Sequence, residues 1–563
     1  MKKNLFLSLM AVLCLMWMLP AQAQIKFTPM RDNANVLTYR APMAVLDTTN
    51  LDERFSSFAP FYVIYPNQSV DEDGAVALVK ELGIDKQFPG VAVGVAVVNP
   101  LGKAYDAKAD VEAYKTFITS MRVVSNLKLI GIGNGATFIN QNIAPIAGEV
   151  AGIVSIEGKA GKVLKTGSVP VPAFIVGKGA ANVAKPYIAA NQATRTGKDA
   201  HMQIYTNAVE PLQRVVISEA NGQTLAEIFN DAWKELLNKN YRFNNLNHTF
   251  YEGQKFGENG PYELEPWMNL EEWGVKRNCV VQPIQSYLPT KYLWFEYIPD
   301  GMSVQPKSVP LVLLLHGNGN DPRTQAETSG WIELAAKEKF FVAELEWQGK
   351  PNFDAMGHDG IETTVELLLR KYPQLDPSRI YTEGLSAGSM ASSALGVKKS
   401  HIFAAIGAMS GGLFAGSANP FGSDGVMSEA IQKSGAVEMA YVSVSGTDDM
   451  VIRYPRPDTW KGNGITNAWR IYEIMNGMNV VEEYDFAADP AFGQPNIERQ
   501  VIETNKGITV QIGTLRKANV PLIKLVAVMH YGHWNFYPAA QMMWDHFKHF
   551  SRDTETKKLI YHP

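Results

Sequence analysis

A serine between glycines, two adjacent aspartates and two nearby histidines follow one another along the second half of the chain. Ser386 stands in Gly384-Leu-Ser386-Ala-Gly388, Asp448 and Asp449 in "SGTDDMV", and His530 and His533 in "MHYGHW". A serine hydroxyl is a weak nucleophile until a base takes its proton, and a histidine serves as that base when a carboxylate fixes its tautomer. Serine, acid and histidine in this order are the parts of nucleophilic acyl transfer. Glycines two residues either side suit a tight strand-to-helix turn in which neighbouring backbones crowd and the nucleophile's own backbone is strained. Asp449 is the preferred acid because it falls on the acid of the form G-T-x-D-x-x-V, with Asp448 as a solvated alternative. His533 follows Gly532 in a loop, whereas His530 sits at a strand end, and His546 and His549 read as surface positions of the last helix. The expected catalytic residues are Ser386, Asp449 and His533, and neither a metal nor another cofactor is expected.

These residues need a frame. "VPLVLLLHGNGNDP" (309–322) reads as a buried strand ending in a glycine loop, 330–339 as a helix, 340–347 as a strand and 361–373 as a helix. Residues 376–397 give a strand, the serine turn and a small-residue helix; 437–455 give a strand running into the aspartate turn; 522–550 give a strand, the histidine loop and a terminal helix. This alternation predicts an α/β fold with a mostly parallel sheet flanked by helices. His316, at the end of its strand, is expected to shape the loop rather than transfer protons. Trp534, beside His533, and more weakly Trp347, at a strand end, are candidates to line a substrate pocket.

Residues from about 290 to 553 resemble the esterase family of polyhydroxybutyrate depolymerases, feruloyl esterases and acetylxylan esterases, through "PLVLLLHGNGNDP", "DPSRIYTEGLSAGSM", "SGTDDMVIRY" and "GHW". The resemblance covers roughly half the chain. It implies an α/β-hydrolase fold, a triad of Ser386, Asp449 and His533, and an oxyanion hole from the backbone N–H of Ala387 and one N–H at Gly317 or Asn318. The family usually has His-Gly before the acid's turn, where this chain has Ser445-Gly446.

The first half follows the same sequence of elements. "FAPFYVIYPNQ" (58–68) matches "SVPLVLLLHGN" (308–318), 250 residues further on, and "GVAVGVAVVNP" (90–100) corresponds to the strand at 340–347. "LKLIGIGNGAT" (127–137) falls on "RIYTEGLSAGS", 151–158 on 404–412, 169–183 on the aspartate strand, and 215–233 on the strand and helix around Gly532. Gly133 then stands for Ser386, Ala180 near Asp449, Gln223 for His533 and Pro66-Asn67 for His316-Gly317. The expectation is a second, non-catalytic α/β-hydrolase-like domain in tandem with the first. A competing reading of "GIGNGAT" is a dinucleotide loop, since Gly131-x-Gly133-x-x-Ala136 follows a strand and Glu157 ends the next one. It is disfavoured because the loop is not on the domain's first strand and an exported protein meets little free NAD.

Export is expected from the first residues: Lys2 and Lys3, an apolar run from Leu5 to Leu19 shorter than a membrane span of about 20, and an Ala21-x-Ala23 cleavage site. The predicted divisions are a signal peptide at 1–23, the degenerate domain at 24–255, a linker at 256–288 and the catalytic domain at 289–563, in a periplasmic or secreted protein without a membrane span. Losing Lys2 and Lys3 takes the formal charge from −4 to −6, and no basic block exists to track a phosphate backbone, so nucleic acid is excluded as partner. Cys279, left alone when Cys14 departs, is expected as a buried small residue. Trp267 and Trp273, in "YELEPWMNLEEWGVKRN", read as pins holding the linker, with stacking on a sugar or aromatic substrate as the alternative. The expected substrate is a small-molecule, polysaccharide or polyester-like ester. Two other readings are a serine peptidase of the prolyl-oligopeptidase kind, which the absence of a propeller-like repeat opposes, and a non-catalytic binding protein made of two hydrolase copies.

Overall fold

A computed structural model of the chain describes residues 26–29, 36–40, 60–84, 94–120, 126–161, 170–199, 201–219, 222–242, 264–283, 291–320, 322–349, 353–414, 433 and 437–563. The expected signal peptide at 1–23 lies outside them. Among the described residues, no helix is long and apolar enough to cross a membrane.

The described residues form two ten-stranded sheets. The first holds β1 (Lys26–Pro29), β2 (Val36–Arg40), β3 (Phe61–Tyr65), β4 (Gly94–Val98), β5 (Leu127–Ile132), β6 (Val150–Ile156), β7 (Ala173–Val176), β8 (Thr194–Asp199), β9 (Met202–Thr206) and β10 (Arg214–Ser218). A two-stranded ribbon follows, β11 (Asn240–Arg242) with β12 (Leu264–Pro266). The second sheet holds β13 (Val275–Pro283), β14 (Lys291–Pro299), β15 (Val309–Leu315), β16 (Phe341–Leu345), β17 (Leu375–Gly384), β18 (Ala405–Met409), β19 (Ala440–Gly446), β20 (Glu498–Glu503), β21 (Thr509–Lys517) and β22 (Val520–Val528), and its ribbon is β23 (Phe550–Arg552) with β24 (Leu559–Tyr561).

Across the first sheet the order is β1-β2-β4-β3-β5-β6-β7-β10-β9-β8, and across the second β13-β14-β16-β15-β17-β18-β19-β22-β21-β20. The two orders agree position for position, so the chain is two tandem α/β-hydrolase-like domains. In each, six central strands pair in parallel. Two strands at either edge run antiparallel. The central strands are covered on both faces and read as apolar runs, β3 as "FYVIY" and β15 as "VPLVLLL". The edges tolerate charge, as β20, "ERQVIE", does while largely exposed.

The equivalence extends to the ribbons. Arg242 Nε donates to the Val150 carbonyl at 2.9 Å and its Nη2 to that of Pro170; Arg552 Nε donates to the Phe403 carbonyl at 2.6 Å and its Nη2 to that of Glu438 at 2.7 Å. Strand register makes Val150 the counterpart of Phe403 and Pro170 that of Glu438. Each copy therefore closes on its own sheet through a buried arginine.

This redraws the expected linker at 256–288. β12 belongs to the first copy and β13 is the first strand of the second sheet, leaving 267–274, with its helix Leu270–Trp273, as the joining segment. β13, "VKRNCVVQP", is an edge strand with polar residues along it, and so resembles a linker in sequence. Cys279 lies on it and is half-buried rather than buried. His546, expected at the surface, is buried, with its Nε2 3.4 Å from the Leu522 carbonyl; burial pushes its pKa down to about 3, so it stays neutral.

Candidate active site

The serine turn is fixed by close approach. β17 ends at Gly384, and an added Cβ there would lie 2.4 Å from the Gly388 carbonyl carbon; one on Gly388 would lie 2.0 Å from the Leu315 oxygen. Only glycines let β17 turn into the helix Ala387–Lys398 so near β15. Ser386 sits between them at φ 79°, ψ −108°, a conformation that is strained for a residue with a side chain. Its N–H donates to the Met409 carbonyl at 3.0 Å, which holds the turn in place.

β22 and β19, neighbours in the sheet, deliver the histidine and the acid. Gly446 ends β19, where a Cβ would fall 2.1 Å from the Tyr531 oxygen, so the histidine loop crosses over the acid's turn only because that position is bare. His533 Nδ1 lies 2.7 Å from Asp449 Oδ2, and Nε2 lies 3.0 Å from Ser386 Oγ. Asp449 Oδ1 accepts the N–H groups of Val451 and Ile452, both at 2.8 Å. Asp449 is buried and offers His533 an acceptor, so Nδ1 carries the imidazole proton and Nε2 accepts the Ser386 hydroxyl. Asp448 and His530 are exposed and face each other at 3.4 Å, away from the serine.

Gly317 adjoins Ser386: an added Cβ would stand 3.7 Å from Ser386 Cβ. Its carbonyl accepts from Asn320 N–H and lies 2.8 Å from His316 Nδ1. Asn318 accepts from Gln348 through its side chain at 3.4 Å. Ala387 opens its helix, where an N–H has no acceptor within the helix. His316 is fully buried, with Nε2 3.3 Å from Glu346 Oε1. Trp347, expected to line a pocket, is instead buried, and its indole N–H donates to the His316 carbonyl at 3.0 Å. Trp534 is half-buried beside the Tyr241 hydroxyl of β11.

Beneath the site runs a buried polar belt that the sequence reading missed. Gln325 Nε2 donates to both oxygens of Glu383, at 3.0 and 2.9 Å, and to Asn535 Oδ1 at 3.1 Å. Trp331 Nε1 donates to Glu383 Oε2 at 3.1 Å, and Asn535 Nδ2 donates to Gln325 Oε1 and Thr328 Oγ1 at 3.0 and 2.8 Å. The belt links the helix Arg323–Thr328 beyond the Gly317 loop, the end of the serine strand and the histidine loop. Burial pushes the Glu383 carboxyl up to about 7, against the lowering effect of Gln325 and Trp331. A glutamate in an apolar strand beside the serine turn was the available signal.

In the first copy, Tyr65 pairs with Gly131 as Leu315 pairs with Gly384, so Gly133 is the counterpart of Ser386 and Asn67 of Gly317. Asn67 Oδ1 accepts the N–H of Asn134, the counterpart of Ala387, at 3.0 Å, and it would lie 2.2 Å from a Cβ on Gly133. Beyond Gly177 the chain passes directly into the helix Ala180–Ala190 instead of building an acid turn, and Gln223 donates to Asp231 at 2.8 Å. Glu157 accepts from Lys178 N–H at 3.1 Å. With Asn67 over its glycines and Glu157 engaged, the loop offers no phosphate cradle.

No family model matches the chain. A stretch of 137 residues is 28% identical to poly(3-hydroxyalkanoate) depolymerase C of Paucimonas lemoignei, covering 22% of this chain and 32% of that protein, so the chain spans about a third of this curated relative's length. Among solved structures, an acetyl xylan esterase from Aspergillus awamori aligns at 15% identity over 48% of this chain and 99% of its own, with a TM-score of 0.32. A feruloyl esterase module from Clostridium thermocellum aligns at 14% identity over 49% and 87%, with a TM-score of 0.33.

Proposed function

We propose that the chain is a serine carboxylic-ester hydrolase working through Ser386, His533 and Asp449. The observation that carries this is the continuous line of bonds from Ser386 Oγ to His533 Nε2 at 3.0 Å and from Nδ1 to Asp449 at 2.7 Å. Ser386 Oγ attacks the ester carbonyl while its proton passes to His533 Nε2. The N–H of Ala387 and one from Gly317 or Asn318 bind the oxyanion. Collapse expels the alcohol, which takes the proton from Nε2, and leaves an acyl-serine. Water, deprotonated by the same nitrogen, then releases the acid and restores the serine. Asp449 stabilises the imidazolium and holds the ring, while Glu346 and Trp347 shape the Gly317 loop through His316.

The substrates in this reading are acyl or feruloyl esters of polysaccharides or polyester-like chains, met outside the cytoplasm after removal of residues 1–23. The first copy is non-catalytic: its counterpart of the serine has no side chain, and Asn67 caps the N–H that would face an oxyanion. The test is labelling by a fluorophosphonate together with turnover of acetyl, butyryl and feruloyl esters. Labelling that persists in Ser386→Ala would remove the nucleophile assignment, and cleavage of peptides with no ester turnover would favour the peptidase reading.

A further inference from the structure

A cavity of about 470 Å³ lies where the two copies meet, within the size range of small-ligand sites. The first copy contributes Glu210, from the loop between β9 and β10, and Lys239, just before β11. The joining segment contributes Trp267 and Trp273. The second copy contributes Lys506, on the turn between β20 and β21, and Tyr537, four residues beyond His533. Neither copy alone could form this cavity, and it does not include Ser386, Asp449 or His533 in its wall.

The wall combines aromatic rings with charges already matched to one another. Lys239 lies 2.9 Å from Glu272, and Lys506 lies 2.9 Å from Glu265 and 3.8 Å from Glu210. Carboxylates (Glu210, Glu265, Glu272, Glu333) outnumber ammonium groups (Lys239, Lys506) around it, so an anionic ligand would be repelled. Glu272 accepts from Lys239 and Asn269, and Glu333 from Tyr537, through Oε2, leaving each Oε1 as an acceptor for hydroxyl groups. Trp267 is buried and held edge-on by Trp233, ring centroids 5.6 Å apart at 89°, and backs the wall, while Trp273 is half-buried. An aromatic face such as that of Trp273 covers the apolar C–H side of a pyranose ring while carboxylate and amide groups meet its hydroxyls.

From these features we propose that the seam between the copies is a binding site for a neutral carbohydrate of one or two sugar rings. The inference goes beyond ester hydrolysis and does not depend on it, because binding is read without turnover. The first copy then has a role that needs no nucleophile: it supplies one wall of a sugar site abutting the histidine loop.

The experiment is calorimetric titration of the full chain with xylobiose and cellobiose, with ferulate and choline as anionic and cationic comparisons. The expected result is saturable binding of a neutral sugar, weakened about 10-fold or more in Trp273→Ala and in Asn505→Trp, which fills the cavity from an exposed turn. Asn505→Trp carries the test if Trp273→Ala fails to fold. Ser386→Ala is expected to bind the sugar as the parent does, so loss of ester turnover and loss of sugar binding are read separately. Absence of saturable neutral-sugar binding up to about 10 mM, binding of ferulate or choline alone, or binding unchanged in both cavity variants overturns the proposal.

Discussion

Gly133 and Ser386 occupy the same turn with nearly the same backbone, φ 56°, ψ −110° against φ 79°, ψ −108°. The glycines around them meet the same obstacle: a Cβ on Gly135 would lie 2.0 Å from the Tyr65 oxygen and one on Gly388 2.0 Å from the Leu315 oxygen. The shape of the turn is thus dictated by a strand and a helix crossing close together, whether or not a side chain stands at its tip. The difference lies underneath. By register, Glu383 corresponds to Ile130 and Glu344 to Val97, so one copy has buried acids where the other has plain apolar core. Beyond the missing serine, acid turn and histidine, the copies differ in a polar support beneath Ser386 and His533, and such support costs stability unless every member is bonded.

The largest effect expected on this contrast comes from Ser386→Ala, which should lower kcat on a soluble ester by about 10⁴-fold or more. Gly133→Ser added to that variant should restore neither turnover nor fluorophosphonate labelling, because Asn67 fills the space. Labelling of the first copy would show that its turn is still competent. Next, Asp449→Asn should reduce kcat by on the order of 10³-fold, whereas Asp448→Asn, on the exposed side, should stay within about twofold; the reverse ranking in steady-state kinetics would reassign the acid.

The shared crossing makes a stability prediction. Gly135→Ala and Gly388→Ala should each destabilise the molecule by about 3 kcal/mol or more in chemical denaturation, since the obstacle is backbone and cannot rotate away. A neutral result in either copy would break the equivalence. The smallest effect concerns Glu383. Its folded pKa is raised from 4.5 to about 7, so its contribution to stability is full below the unfolded value and is lost as pH rises through about 7. Stability should fall between pH 5 and 8 more steeply in the parent than in Glu383→Gln, by on the order of 1 kcal/mol or more. Parallel curves would mean that Glu383 does not titrate there.

The parts of this architecture that could be read from sequence are those imposed by local geometry. The glycine turns sit at fixed offsets from apolar runs in both copies, so the strand frame and the positions of Ser386, Asp449 and His533 were legible. The buried belt was not, because Gln325 meets Glu383 58 residues away and Asn535 210 residues away, and no short-range pattern records such partners. Trp347 was misplaced for a related reason: a tryptophan at a strand end can face a pocket or hold a carbonyl, and only the loop above it decides. β13 was hidden by its place at a sheet edge, where one-sided burial leaves a mixed sequence.

β11 carries one further consequence. Asn240 and Arg242 bond to β6 of the first copy, while Tyr241, between them, is packed in the core of the second. Alternation along a single strand therefore ties consecutive residues to both copies, Asn240 and Arg242 by hydrogen bonds to the first and Tyr241 by packing in the core of the second. Unfolding either copy strips the strand of half its partners, so melting of the two is coupled. Heat should disassemble the molecule in one transition, and a cut in the joining segment should not release an independently stable half.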